Sequence, residues 1–400
     1  MSLSSRLALS HLSLARRGAH GFSTSALRAA SNRAIVYTQN GDPASVLTAL
    51  THPQLSSPPP ATLNIKFLLA PINPADINVV EGVYPAKPKL TSSLTQSGLG
   101  SADAPVFVGG NEGLAEVTEV GSGVEGLKKG DWVIMTRPQA GTWSTSKNVS
   151  SREVLKVPKE LDGFKVDEVS AATITVNPAT AYNMIHDFTT LQEGDWLVQN
   201  GANSAVGQAV IQIAAAKGIK TLNFVRNRDN FSELKDQLTR LGATTVLTYD
   251  ELADKSLRGK VKEWTDGKGI RLGLNCVGGK DTTLMTQLLG QDAHVVTYGA
   301  MSKQPLSFPT PMFIFKNLQA HGFWQSRWYE RRGPAEQEEL MKKLVQFMSK
   351  GQLSPPEHEI VTIAGSESDE TATQKVRDIM SKLAAGRFGK KVLLRMEEVS

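Results

Sequence analysis

Cysteine is almost absent from this chain: among 400 residues there is one, Cys276. That excludes a disulfide framework and a four-cysteine zinc lobe. Cys276 lies in the run LGLNCVGG and reads as a small packed residue at a strand end. Histidine is scarce too. Of seven histidines, the five beyond residue 30 (His52, His186, His294, His321 and His358) show no metal-ligand spacing, so no metal is expected. No apolar run reaches the roughly 18 residues of a membrane span.

Acidic residues are missing from the first 41 positions; the first is Asp42. Residues 1–30 carry Arg6, Arg16, Arg17 and Arg28 among many Ser, Ala and Leu. Without these four arginines the formal charge falls from +5 to +1. The basic excess therefore belongs to a leader, and no basic aromatic stripe points to nucleic acid. A basic, serine-rich, acid-free segment predicts a mitochondrial transit peptide over 1–30 and delivery to the matrix, with cleavage between Gly21 and Ser31.

Beyond the leader, two textures alternate. Residues 31–178 read as short β runs broken by Gly and Pro: ATLNIKFLLAPIN, GLAEVTEVG and DWVIM. Residues 179–332 read as strands alternating with helices. Strands are expected at 196–199, 221–225, TTVLTY, LGLNCV and AHVVTYG, with helices at 205–217 and 231–241. That spacing implies a doubly wound parallel sheet. Residues 333–400 hold the helix EQEELMKKLVQFMSKG and a strand, KKVLLRM, expected to return to the first domain. The fold class is α/β: a β-rich, barrel-like domain in two sequence parts around a doubly wound parallel-sheet domain.

The loop after the strand at 196–199 is Gly201-Ala202-Asn203-Ser204-Ala205-Val206-Gly207. It is a poor match to G-x-G-x-x-G, but it sits between strand and helix, where small residues let a pyrophosphate approach free N–H groups. At the end of the next strand stand Arg226-Asn227-Arg228, where an NAD enzyme keeps an acid. Two guanidinium groups suit a 2′-phosphate, which selects NADPH.

These features together resemble the medium-chain dehydrogenase/reductase superfamily. INPADINVVEGVYPAKP (72–88), TVNPATAY (175–182) and GFWQSRW (322–328) narrow the resemblance to the mitochondrial 2-enoyl thioester reductases. In FVGGNEGLAEVTEVG, Gly110-Asn111-Glu112 stands where a zinc dehydrogenase has Gly-His-Glu, so the ligand histidine is gone. The resemblance implies a metal-free reduction of enoyl-CoA or enoyl-acyl-carrier-protein, in which NADPH gives hydride to C3 and Tyr84 gives a proton to C2. It implies cofactor contacts at Asn177, at Asn203, Ser204, Ala205 and Val206, and at Arg226, Asn227 and Arg228. Further contacts fall on Tyr298, Gly299, Ala300 and Met301, on Phe323, Trp324 and Gln325, and on Lys391, with Lys390 adjacent. Glu112 is expected to order its loop. Phe323 and Trp324 suit a pocket or the core. The resemblance also implies a GroES-like catalytic domain, a Rossmann cofactor domain and a homodimer, its Rossmann sheets pairing edge to edge with AHVVTYG and the next segment of chain as the interface. Two other readings use the same scaffold: an NADPH quinone reductase, and a cofactor-binding regulator without catalysis.

Overall fold

The computed structural model describes residues 31–399; the expected leader lies outside them. Two sheets organise the chain. One is six-stranded and wholly parallel, in the order Thr245–Thr248, Lys220–Val225, Trp196–Asn200, Ile270–Asn275, Leu289–Thr297, Gln319–Gly322. Its inner strands Trp196–Asn200 and Lys220–Val225 are buried on both faces, and the polar side chains they enclose are bonded there: Gln199 donates from Nε2 to Asn223 Oδ1 at 2.8 Å. Strand order reverses between Trp196–Asn200 and Ile270–Asn275, the place where open α/β sheets leave a crevice. Two buried asparagines mark this switch point. Asn200 donates from Nδ2 to Asn275 Oδ1 at 2.8 Å and accepts the Cys276 N–H at 2.8 Å.

The second sheet is centred on Thr62–Pro71, which pairs antiparallel with Leu114–Val120 and Ser146–Ser150. The final strand, Lys391–Met396, returns to the C-terminal end of Thr62–Pro71, through Leu393 opposite Pro71 and Leu394 opposite Ala70. Arg33, fully buried, ties the first strand to the C-terminal part through Asp369 Oδ1 at 2.9 Å and the Ala364 carbonyl at 3.0 Å. The largest apolar core takes Leu69, Leu114 and Leu393 from this sheet and Leu197, Leu272 and Leu274 from the other. Each such side chain is worth roughly 1.5–3 kcal/mol on burial, so the cleft between the sheets rests on a shared foundation.

One expectation is corrected. AHVVTYG is not a sheet edge: Leu289–Thr297 is flanked by Ile270–Asn275 on one side and by Gln319–Gly322 on the other. The edge is Gln319–Gly322, a four-residue strand too short to show a period in the sequence.

Candidate active site

The helix Ala205–Ala216 begins at Ser204, whose Oγ accepts the Gly207 N–H at 3.1 Å. A Cβ on Gly207 would lie 2.5 Å from the Ala202 carbonyl oxygen, so the turn closes only with glycine there. Asn203, Ser204, Ala205 and Val206 therefore line a cleft of about 730 Å³ together with Arg228, Lys390 and Lys391. Arg226 is exposed outside that lining, and Asn227 donates to Asp250 Oδ2 at 2.8 Å. The small-residue turn, the helix N-terminus and the guanidinium at the rim fit a dinucleotide with a 2′-phosphate. Deeper in, Tyr298 keeps its hydroxyl buried beside Cys276 without a hydrogen-bond partner, and burial holds its pKa well above the ordinary range.

A neighbouring cleft of about 700 Å³ shares Asn73, Asn177, Val206, Tyr298 and Gly299 with the first. Tyr84, Ala300, Met301, Phe323, Trp324 and Gln325 line it. Phe323 and Trp324 are thus half-buried wall residues, and Phe323 also packs on the core. The short helix Pro74–Val80 leads into the turn that presents Tyr84, whose N–H bonds the Asn78 carbonyl at 3.2 Å. Trp324 Nε1 donates to Tyr84 Oη at 2.8 Å. Burial pushes the phenol pKa up, with Trp324 pulling the other way, so Tyr84 stays protonated at neutral pH. Arg137 and Lys303 also line this cleft, and no Asp or Glu among the described residues does. Neither cation was signalled by a motif.

Asn111, in the place of the missing histidine, holds a turn: its Oδ1 accepts the Gln139 N–H at 2.7 Å. Gly110 has φ of 91° and lies against Trp143, where a Cβ would sit 2.5 Å from Cδ1. Glu112 turns inward. Its Oε2 accepts from Asn73 Nδ2 at 2.9 Å; its Oε1 accepts from Thr175 Oγ1 at 2.9 Å and the Val176 N–H at 2.8 Å. Lys391 Nζ donates to Asn73 Oδ1, whereas Lys390 is exposed. Asp76 Oδ2 accepts the Asn73 N–H at 2.7 Å, and its Oδ1 has no partner. Burial raises the Asp76 pKa to about 7 and pushes Glu112 up, while it pulls Lys391 down against the attraction of both carboxylates. Asp76 and Asn73 were missed from sequence; the only local signal was a helix start, Asn-Pro-Ala-Asp. No group of three or more His, Cys, Asp or Glu placed to hold a metal occurs among the described residues.

A GroES-like β domain joined to a Rossmann domain, with a cleft lined by both, defines the medium-chain dehydrogenase/reductase class. The alcohol dehydrogenase GroES-like domain family matches residues 59–173, and the zinc-binding dehydrogenase family matches 205–348. The chain is 40% identical over 366 residues to mitochondrial enoyl-[acyl-carrier-protein] reductase of Yarrowia lipolytica, covering 92% of each chain. It superposes on the mitochondrial 2-enoyl thioester reductase Etr1p/Etr2p heterodimer of Candida tropicalis with TM-score 0.82 and 33% identity, covering 91% of this chain and 99% of that one. The Etr1p complex with NADP and crotonyl-CoA gives TM-score 0.83 at 33% identity and the same coverage. The chain belongs to the mitochondrial 2-enoyl thioester reductases of this superfamily.

Proposed function

We propose that this enzyme, an NADPH-dependent enoyl thioester reductase, uses Tyr84 to hand a proton to C2 of a trans-2-enoyl thioester. One observation carries the assignment. Indole N–H is a donor only, so Trp324 must occupy an acceptor position on Tyr84 Oη. The tyrosine's own proton is then left to point elsewhere, and Tyr84 lines the cleft.

Bound NADPH supplies the hydride that goes to C3. The residues that would hold it are the 203–206 turn, Arg226 and Arg228 at the 2′-phosphate, and Asn177, Tyr298 and Lys391 further in. Arg137 and Lys303 place positive charge beside the substrate cleft, which favours the developing negative charge on a thioester oxygen and the phosphates of its carrier. Tyr84 holds its proton at Oη until the enolate forms, because its raised pKa prevents earlier loss. Conjugation to the thioester carbonyl already activates the double bond, so the residues need only orient it and supply a proton. Purified protein with NADPH should reduce trans-2-hexenoyl-CoA to hexanoyl-CoA. Consumption of NADPH with a quinone but not with this thioester would overturn the reading.

The reading extends to a homodimer in the mitochondrial matrix. The open strand Gln319–Gly322 and the exposed Phe313, Ile314 and Phe315 shortly before it in the chain suit pairing across a two-fold axis. Sedimentation should give twice the chain mass; a monomer would contradict it. The mature protein should begin between about residues 22 and 34, and protease-protected matrix fractions should contain it.

A further inference from the structure

The reaction groups reach the cleft on three separate segments, and all three are tied to one carboxylate. Asn73 starts the helix Pro74–Val80 that leads to Tyr84, and its Nδ2 donates to Glu112 Oε2 at 2.9 Å. Thr175 and Val176 lead into the helix Asn177–His186, and both donate to Glu112 Oε1. Tyr329, on the helix directly after Trp324, donates its hydroxyl to the Thr175 carbonyl at 2.9 Å. Glu112 is 1% exposed and lines neither cleft. It cannot touch a substrate, yet it joins the supports of Tyr84, Asn177 and Trp324. Lys391 and Asp76 complete the network through the Asn73 carboxamide and N–H.

We propose that Glu112 is a positioning residue for the reduction: its buried carboxylate sets Tyr84, Trp324 and Asn177 in register across the cleft. This rests on the thioester-reductase reading and goes beyond it. Glu112 is the hub of a hydrogen-bonded crosslink between the two cleft walls. The donor pattern dictates its behaviour. Glu112 must accept on both oxygens, while Asn73 must donate to it and accept from Lys391. Glu112→Gln breaks that logic. Its Oε1 can still take Thr175 and Val176, but its amide N–H₂ then faces the Asn73 N–H₂. Flipping Asn73 only moves the clash onto the Lys391 ammonium. A misplacement of about 1 Å can cost roughly a hundredfold in rate.

The reciprocal change repairs every bond. In Asn73→Asp with Glu112→Gln, the new amide donates to one oxygen of the new carboxylate, and the other accepts from Lys391. The cluster keeps its charge, and the acceptors for Thr175 and Val176 remain. The test is steady-state kinetics on trans-2-hexenoyl-CoA with NADPH for wild type, E112Q and N73D/E112Q. E112Q should lose about 10- to 100-fold in kcat, with the thioester KM within about threefold of wild type. The exchanged pair should regain kcat to within about threefold of wild type. An E112Q enzyme with wild-type kcat would overturn the proposal, and so would a folded exchanged pair no faster than E112Q. If E112Q does not fold, the exchanged pair decides alone: it folds and turns over on this proposal, and a folded but slow pair sinks it. A wild-type enzyme inert toward the thioester would instead strike the functional reading.

Discussion

The rim of the cofactor cleft and the cluster behind its floor solve the same problem, placing charge, in opposite ways. At the rim, Arg226 and Arg228 stand at a strand end, in water or half in water. Neither has an ion-pair partner among the described residues. Exposed, unpaired guanidinium groups cost little to keep and remain available to an incoming phosphate. In the cluster, Asp76 and Glu112 are removed from water, and with Lys391 they share one asparagine. Charges placed there are expensive, and they persist only by satisfying one another. On the readings proposed above, the rim binds and the cluster holds geometry.

The largest effect expected lies where the cluster's geometry is delivered. Tyr84→Phe keeps the ring and removes only the hydroxyl that Trp324 orients. kcat should fall by about 10²–10⁴-fold, with NADPH binding and melting temperature close to wild type. Fluorescence titration of NADPH beside turnover measurements separates the two. A mutant with wild-type kcat would place the proton donor elsewhere and remove the contrast between a binding rim and a reacting floor.

The rim is probed next. Arg226→Ala with Arg228→Ala should raise the KM for NADPH by about 10- to 100-fold, since two charge-assisted contacts are lost. NADH should be nearly unaffected. An unmodified enzyme that binds both cofactors equally would show that the arginines do not read the 2′-phosphate. Arg228 lines the cleft and Arg226 does not, so the two single variants rank their shares, with Arg228 the larger.

The same contrast explains what was legible in the sequence. The rim is local: a strand, its end and three adjacent residues announce it. Likewise, the alternation of strands and helices and the returning strand Lys391–Met396 could be read, because each is a pattern within a few residues. The cluster draws on positions 73, 76, 112, 175 and 391, which are neighbours only after Lys391–Met396 docks on Thr62–Pro71. No window of sequence contains it. Glu112 could be read as ordering a loop; that it also links the supports of Tyr84, Trp324 and Asn177 needed the geometry. The Gln319–Gly322 edge escaped for a different reason. Four residues, QAHG, carry no alternation and little β propensity, so only pairing with Leu289–Thr297 makes them a strand.

The smallest effect expected is a pH dependence that only the cluster should show. Asp76 has a folded pKa of about 7, raised mainly by burial; in the unfolded chain the value is about 3.9. Between those values the folded protein holds a proton that the unfolded chain has released. Stability from this group is therefore greatest at the acid end of the window and is lost as pH rises, with a slope approaching about 1.4 kcal/mol per pH unit. Above about pH 7 both states are ionised and the slope vanishes. Glu112, also raised by burial, acts in the same direction. Lys391, lowered by burial, acts oppositely, at the alkaline side. Asp76→Asn keeps an acceptor for the Asn73 N–H and deletes the titration. Urea unfolding at about pH 5.5, 6.5 and 7.5 should show the advantage of wild type over D76N shrinking as pH rises. The paired arginine variant should track wild type throughout, because neither arginine belongs to the cluster. A wild-type-minus-D76N difference that stays flat with pH would mean that Asp76 is ionised across the range. The cluster would then carry a full buried negative excess, and its cohesion would rest on Lys391 alone.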